Sequence, residues 1–315
     1  MKIGLIAAKI DPETKLMERK LALRSKETFR FDIDTFPSRS SMYGSFEGKS
    51  VMMVGHHNIL DMSCFLLRRF GYFVPRHAKP AWKDWVQRYR EYDEILTTEL
   101  ESNTFRISFL RALARMKPVV NGIDCIGLHW FKPWMFFLLK DAGVDVPEFV
   151  FGNSYSLLTD FIRKEGGTAV YKPLCGGREA RPVTIDYVRR NKRALGFEPI
   201  ILQRLIRGES IRSFVLDDEV IGSIEMKHQN RYLDFRIAPT GITVRKLPQE
   251  AEKMCVKASM SLGMKFCGVD LVHDAQEDRF FVLECNDPTG FAAFEKNSSL
   301  PISDRLADFL ISLGR

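Results

Sequence analysis

An acidic residue and an amide residue stand two positions apart near the end of the apolar segment FFVLECNDPTG, residues 280–290. Side chains alternate between the two faces of a strand, so Glu284 and Asn286 project from the same face and Cys285 from the other. The NDPTG sequence that follows is typical of a turn. One interpretation of this segment is an ordinary strand end, and the other is a small site built from oxygen atoms.

A second acid favours the oxygen-rich site. The segments CGVDLV (267–272) and FVLECN (281–286) have the pattern of a hairpin, and folding that hairpin brings Asp270 opposite Glu284 and Asn286. Two facing carboxylates repel each other, so the pair requires a cation. Carboxylate and amide oxygens are ligands that Mg²⁺ prefers, and one glutamate can bridge two ions. We therefore predict a metal site at Asp270, Glu284 and Asn286.

Two lysines complement this predicted site. Lys172 ends the apolar strand TAVYKPL, where a buried charge needs a partner, and Lys132 opens the predicted helix FKPWMFFLLKDAG. The alternative for each is an ordinary surface lysine. After the strand PIIL, the main-chain groups of QRLI (203–206) suit the edge of an adenine. The chain lacks the G-x-x-x-x-G-K-[ST] pattern, which argues against a P-loop enzyme.

The elements that would position these residues fall into two parts. The first part alternates short apolar strands (KIGLIAA, TFRFDID, SVMMVG) with helical segments, including a long amphipathic helix at 91–116. This alternation predicts an α/β domain. After about residue 125, helices alternate with strands and two hairpins, which predicts an α+β arrangement with antiparallel sheets.

Composition narrows the function class. The 315 residues are 45% hydrophobic and 28% charged, as in soluble globular proteins, and no segment approaches the about 18 apolar residues of a membrane span. Six cysteines without CxxC pairs favour neither a zinc site nor a disulfide framework. We therefore expect a cytoplasmic protein without a membrane partner.

The charge balance of 47 basic and 40 acidic residues gives +7. This excess favours acidic partners such as nucleotide phosphates or an acidic peptide. The basic run RRNKR (189–193) is interpreted as a solvated helix face, because no aromatic interleaving accompanies it. Nucleic acid is therefore not an expected partner.

Taken in order, the motifs resemble one known superfamily. Lys132, Lys172-Pro with its glycine loop, LQRLIRGESIRSFVLDDEVIGSIE (202–225), DFR, GVDLV and VLECN resemble the ATP-grasp superfamily, in particular its RimK-like carboxylate–amine ligases. The resemblance covers roughly residues 126–300. It implies a pre-ATP-grasp α/β domain at 1–125, followed by an ATP-grasp fold of two α+β subdomains at 126–200 and 201–315.

The resemblance also implies a role for each candidate residue. Lys132 and Lys172 would contact the phosphates of ATP, with Gly176 and Gly177 of the following loop as further cofactor-binding residues. The three oxygen-bearing residues of the predicted metal site would hold two Mg²⁺ ions, with Mn²⁺ as an alternative. The remaining cofactor-binding candidates are Gln203, Arg204, Leu205, Ile206 and Glu209.

The chain departs from the superfamily pattern at three points. Phe131 stands where an aspartate usually precedes the first lysine, and the glycine loop contains only two glycines, followed by Arg178 and Arg181. Ser210 occupies the position at which the superfamily tends to place a ribose-binding acid, and Glu209 precedes it. These departures concern nucleotide binding and leave the superfamily assignment intact.

The implied reaction is the phosphorylation of a carboxylate by ATP, followed by attack of an amine or hydroxyl on the acyl phosphate. Arg212 in ESIRSF and Arg236 in LDFRIA are predicted to lie on strands facing the cleft. A guanidinium fork suits carboxylates and phosphates, so we predict that one of the two arginines is catalytic and orients the acyl phosphate or the acceptor. A structural salt bridge is the alternative.

A finer resemblance concerns the substrate. FRFDIDTFP (29–37), LLRRFGYFVP (66–75) and VVNGIDCIGLHWFKP (119–133) resemble the graspetide, or microviridin-type, macrocyclases, which link acidic side chains of a precursor peptide to hydroxyls or amines. The partners so implied are ATP and a peptide or other carboxylate-bearing acceptor, with a homodimer as an option. The alternatives are a RimK-like ligase that adds an amino acid and a non-catalytic nucleotide-binding regulator.

Overall fold

The computed structural model of the protein describes residues 1–37, 39–68, 85–174, 179–227 and 241–315. Within these ranges the chain forms two compact units, one of residues 1–126 together with 306–315 and the other of residues 127–305. The division into three domains, with boundaries after residues 125 and 200, stays a prediction. Gly176, Gly177 and Arg236 lie outside the described residues.

The first unit is built on a parallel sheet. Its strands and first two helices are β1 (Lys2–Ala7), α1 (Pro12–Ala22), β2 (Glu27–Asp32), β3 (Met42–Ser45), β4 (Val51–Val54), β5 (His57–Asn58), β6 (Cys64–Leu67), α2 (Trp85–Met116) and β7 (Val119–Val120). The parallel sheet has the order β2-β1-β6-β7, and β3-β4-β5 form a small antiparallel sheet. The carboxylate of Asp11 caps α1 by accepting from the Thr14 amide, a common N-cap contact. The predicted α/β pattern is confirmed.

The second unit contains two antiparallel sheets. Its elements are α3 (Lys132–Asp141), β8 (Phe149–Gly152), α4 (Tyr155–Lys164), β9 (Thr168–Lys172), β10 (Arg181–Thr184), α5 (Ile185–Arg190), α6 (Lys192–Leu195), β11 (Ile200–Arg204), β12 (Glu209–Leu216), β13 (Glu219–Lys227), β14 (Gly241–Val244), α7 (Gln249–Ser261), β15 (Phe266–Asp274), β16 (Arg279–Asn286), α8 (Ala292–Ser298) and α9 (Ile302–Leu313). Most of α9 clusters with the first unit. The predicted α+β arrangement is confirmed.

The two sheets of the second unit carry the candidate residues. One sheet has the order β10-β9-β11-β8 and the other β14-β13-β12-β15-β16. Leu158 and Ile162 of α4 pack with β9 and β11 in one apolar core, and α7 packs on the five-stranded sheet. Asp217 adopts φ of +54° in the β12–β13 turn, a conformation that aspartate tolerates better than most residues.

The described part of the chain contains neither a membrane-spanning helix nor a disulfide bond. None of its helices combines the length and the apolar character that a membrane crossing needs. Its five cysteines (Cys64, Cys125, Cys255, Cys267 and Cys285) are all buried free thiols.

Candidate functional site

The β15–β16 hairpin places the two acids opposite each other, as the sequence predicts. Asp270 pairs with Glu284 and Gly268 pairs with Asn286. Leu271 then pairs with Val282, so Leu283 is an extra residue in β16, a β-bulge. Cys285 is fully buried on the opposite face of the sheet. In a regular hairpin Leu283 would pair with Asp270, but the bulge moves Glu284 into that position, so both acids and the amide lie on one face.

Gly268 allows the NDPTG turn to fold back on the hairpin. A Cβ atom at this position would lie 2.4 Å from the Thr289 hydroxyl oxygen, which is closer than real Cβ contacts. Thr289 is itself only 1% exposed. The turn after Asn286 is therefore packed directly against β15 beside Asp270.

Arg212 supplies the cation that Asp270 requires. Its Nε and Nη2 atoms donate to the two carboxylate oxygens at 2.6 and 2.7 Å, and the amide of Asn286 donates to Oδ2 at 2.9 Å. Asp270 is fully buried. Burial raises the pKa of Asp270, and the charge and hydrogen bonds of Arg212 oppose this shift. Because a guanidinium does not deprotonate in proteins, Arg212 is the cationic partner in this contact.

The structural salt bridge, which was the alternative for Arg212, is thus present. The catalytic role of Arg212 stays a prediction. The same observation changes one premise of the sequence interpretation. The facing acids were expected to require a metal for charge balance, yet protein cations already balance both of them. Arg212 pairs with Asp270, and Lys132 pairs with Glu284.

Two buried lysines surround Glu284. Lys132, the first residue of α3, donates to its carboxylate, and Lys172 donates to the carbonyl of Leu283 at 3.3 Å. The bulge therefore presents a main-chain acceptor to Lys172. Burial alone would raise the pKa of Glu284, but the charges of Lys132 and Lys172 lower that pKa to about 2.

Lys132 and Lys172 are not ordinary surface lysines, because they are only 7% and 8% exposed. Lys172 also lies 5.5 Å from the centre of the Phe136 ring, an attractive arrangement for a cation. With Arg212, the cluster contains three cations around two carboxylates. The resulting positive charge is suited to an anionic ligand.

Gln203 indicates where a nucleotide base would fit. Gln203 and Ile201 alternate along β11 with Leu202, and Ile201 pairs with Lys172, so Gln203 shares the sheet face of Lys172. Gln203 is 1% exposed, and its Nε2 atom has no hydrogen-bond partner among the described residues. A buried unsatisfied amide is costly, and a base edge bound there would satisfy it.

The residues after Gln203 offer main-chain groups only. The Arg204 side chain lies on the other face of β11 and pairs with Glu148 and Glu277. Its amide nitrogen donates to the Glu148 carbonyl at 2.8 Å. Ile206 is buried, and Leu205 is half-buried. Cofactor binding by the main-chain carbonyl groups of Arg204, Leu205 and Ile206, and by the amide groups of Leu205 and Ile206, stays a prediction.

Glu209 is not brought to the site. It pairs with His273 along the sheet and contacts His273 and Arg245 with its side chain. Because side chains alternate, Glu209 lies on the face opposite Arg212, while Ser210 shares the Arg212 face. Alternation counted from Arg212 therefore places Ser210, and not Glu209, on the face of the candidate site.

The three oxygen-bearing residues fit a magnesium site in which substrate phosphates supply some of the ligands. In the described ranges, no cluster of three or more His, Cys, Asp or Glu residues could hold a metal ion alone. Asp270, Glu284 and Asn286 instead supply two carboxylates and one amide on one face. Mg²⁺ is often bound by one or two carboxylates together with substrate phosphates, and the neighbouring lysines suit those phosphates.

Comparison with known proteins gives one family and several similar chains. The sequence profile of the RimK-like ATP-grasp domain matches residues 135–310. Human N-acetylaspartylglutamate synthase A is 28% identical over 218 residues, which are 64% of this chain and 53% of that relative. The chain thus spans about half the length of this curated relative.

Solved structures resemble almost the whole chain. The ATP-grasp ligase PsnB, solved with a minimal precursor, Mg and ADP, is 25% identical with a TM-score of 0.82 over 99% of this chain and 97% of its own. The macrocyclase MdnC of Microcystis aeruginosa MRC, bound with the precursor peptide MdnA, has a TM-score of 0.79 over 99% of both chains. At 18% identity, the MdnC likeness shows the fold alone.

Proposed function

Because the chain belongs to the RimK-like ATP-grasp domain family, we propose that it is an ATP-dependent, ADP-forming ligase. The observation that carries this proposal is the buried cluster in which Lys132, Lys172 and Arg212 surround Asp270 and Glu284. Such a cluster combines cations for phosphates with oxygen ligands for a metal. In the proposed reaction, a substrate carboxylate attacks the γ-phosphorus of ATP, and the bond to the β-phosphate oxygen breaks to release ADP.

The second half of the reaction joins the acyl group to a nucleophile. A hydroxyl or amine attacks the acyl carbon, loses its proton, and displaces inorganic phosphate, so that an ester or an amide forms. Lys132 and Lys172 would hold the phosphates, since each ammonium group is buried beside Glu284. Gln203 would contact the base through its buried Nε2 atom. Fixed positive charge of this kind favours phosphoryl transfer because it stabilises the negative charge on the transferring phosphoryl group.

Magnesium completes the proposed site. Asp270, Glu284 and Asn286 would hold it, and when bound it would neutralise charge on the transferring phosphoryl group. Glu284 stays ionised across the physiological range, because its pKa is lowered to about 2. The use of two ions, and the acceptance of Mn²⁺, are further parts of this proposal.

The proposed acceptor is a precursor peptide whose acidic side chains are joined to its own hydroxyls or amines. The support is the likeness of the whole chain to PsnB and MdnC, which were solved with precursor peptides. The net charge of +7 is compatible with an acidic peptide. Addition of an amino acid is the alternative, and the likeness to N-acetylaspartylglutamate synthase A favours it. A non-catalytic regulator is disfavoured, because the candidate phosphate and metal residues are present together.

The test is mass spectrometry combined with nucleotide analysis. The purified chain is incubated with ATP, Mg²⁺, a mixture of free amino acids and a candidate peptide rich in Thr or Ser and in Asp or Glu, chosen from short reading frames beside its gene. We expect the peptide to lose one water for each ADP formed. A gain of one amino-acid residue in mass would select the alternative, and AMP as the product would overturn both.

A second assay does not depend on knowing the nucleophile. Hydroxylamine traps acyl phosphates as hydroxamates, so a peptide hydroxamate should form in the presence of ATP and Mg²⁺. A matched peptide with Asn and Gln in place of Asp and Glu is the control, and it should yield neither hydroxamate nor ADP. Equal ADP release with both peptides would contradict carboxylate activation.

A further inference from the structure

Phe294 lies against the guanidinium of Arg212, the group that holds Asp270. The Arg212 Cζ atom is 5.4 Å from the centre of the Phe294 ring. The same ring packs against Phe214 with centroids 6.0 Å apart and planes inclined by 55°. Because Phe214 is fully buried, the Phe294 ring is anchored in the core on one side and contacts Arg212 on the other.

The contacts of Arg212 with the carboxylate and with the ring are compatible with each other. The Nε and Nη2 donors point along the plane of the guanidinium toward Asp270, whereas an aromatic ring attracts the cation through its own π face. The Arg212 side chain is only 12% exposed. A ring that is fixed by the core therefore restricts the plane of the guanidinium, and the two parallel hydrogen bonds pass that restriction to the carboxylate.

We propose that Phe294 is a positioning residue for the metal site and acts on Asp270 through Arg212. The proposal rests on the proposed function, because Asp270 holds Mg²⁺ only if the chain binds the metal–nucleotide complex. Groups that orient a metal ligand commonly change metal affinity by about 10- to 100-fold when they are lost. Phe294 acts one contact further away, so we expect a smaller effect, of about three- to tenfold.

The location of Phe294 explains why a single ring can serve this purpose. It lies in α8, which follows β16 after the NDPTG turn, and β16 carries Glu284 and Asn286. The segment from Glu284 to Phe294 therefore provides two of the three predicted metal ligands. It also provides the ring that contacts Arg212, the partner of the third ligand, Asp270. We expect the ring face, rather than apolar volume alone, to be the property that matters.

The experiment separates the ring from its volume. Phe294→Leu keeps an apolar side chain against Phe214 but removes the π face, and Phe294→Tyr keeps the face. Phe280→Leu is the matched control, because Phe280 stacks on His273 with centroids 4.4 Å apart and does not contact Arg212 among the described residues. Isothermal titration of Mg²⁺ into each variant with a non-hydrolysable ATP analogue measures metal affinity without turnover.

We expect Phe294→Leu to weaken Mg²⁺ binding by about three- to tenfold, Phe294→Tyr to restore it, and Phe280→Leu to match the wild type. Nucleotide binding without Mg²⁺ should be unchanged in all variants. If Phe294→Leu binds Mg²⁺ like the wild type, or if Phe294→Tyr is as weak as Phe294→Leu, the positioning role is wrong while the proposed ligase survives. If the wild type shows no Mg²⁺-dependent nucleotide binding, the proposed function itself fails.

Discussion

Replacing Arg212 by methionine would leave a fully buried carboxylate without its cation. Asp270 would keep the amide hydrogen bond of Asn286 but lose both guanidinium donors. Removing one partner of a buried ion pair typically costs about 3–5 kcal/mol of stability. Because the Arg212 side chain retains some contact with solvent, we expect a loss near the lower end, about 3 kcal/mol.

This loss should depend on pH. Burial raises the pKa of Asp270, and Arg212 opposes that shift, so the variant's folded pKa should rise further above its unfolded value. Between the two pKa values the folded state binds more protons, and stability therefore falls as pH rises. We expect the deficit to be largest at neutral pH and smaller at pH values of about 4–5, near the unfolded pKa.

The assay is urea denaturation at neutral and acidic pH, with the midpoints of wild type and variant compared. Adding Asp270→Asn to Arg212→Met removes the buried charge and should recover most of the loss at neutral pH. The reasoning would be refuted by a midpoint deficit that does not change with pH, or by a double variant no more stable than the single one.

Four further substitutions test other parts of the site. Glu284→Gln should abolish ligase turnover, and because it removes the carboxylate that pairs with buried Lys132 it should also lower the melting temperature; the ADP assay and calorimetry measure the two effects. Lys172→Ala should weaken ATP binding by at least tenfold by titration, whereas Lys192→Ala, which removes an exposed lysine, should not. Lys132→Met should raise the pKa of Glu284 from about 2 toward its ordinary value of 4.5. Since a lowered carboxylate pKa stabilises the fold above the unfolded pKa, this variant should lose up to roughly 3 kcal/mol near neutral pH and proportionally less as pH falls toward 2. Gln203→Leu removes an unsatisfied buried amide, so it should stabilise the free protein yet weaken ATP binding.

Alternation along strands predicted much of the site from the sequence. Glu284 and Asn286 on one face, with the buried Cys285 on the other, follow from a period of two, and the hairpin pattern brings Asp270 to that end of β16. The same rule, counted from Arg212, would have placed Glu209 on the far face. Local pattern is informative here because each residue is tied to its neighbours by the backbone.

Partners distant in sequence could not be predicted in the same way. Lys132 reaches Glu284 across 152 positions and Arg212 reaches Asp270 across 58. Which cation balances which acid depends on how the sheets and α3 pack, and several arginines and lysines of the chain were equally suitable by type. The bulge at Leu283 could not be predicted from the sequence either, because an apolar residue fits a regular strand as well as a bulged one.

That bulge fixes how the hairpin can vary in length. One residue inserted among 279–283, or inserted or deleted among 271–274, would reverse the facing of everything between the change and the turn, or force Glu284 and Asn286 into the core beside Cys285, whereas one residue deleted among 279–283 would be absorbed by loss of the bulge. The turn at 275–278 has no such parity, because its residues are not paired across the strands. Natural length differences in related chains should therefore be concentrated in that four-residue turn, and a peptide tag or a reporter loop inserted there should leave the site intact.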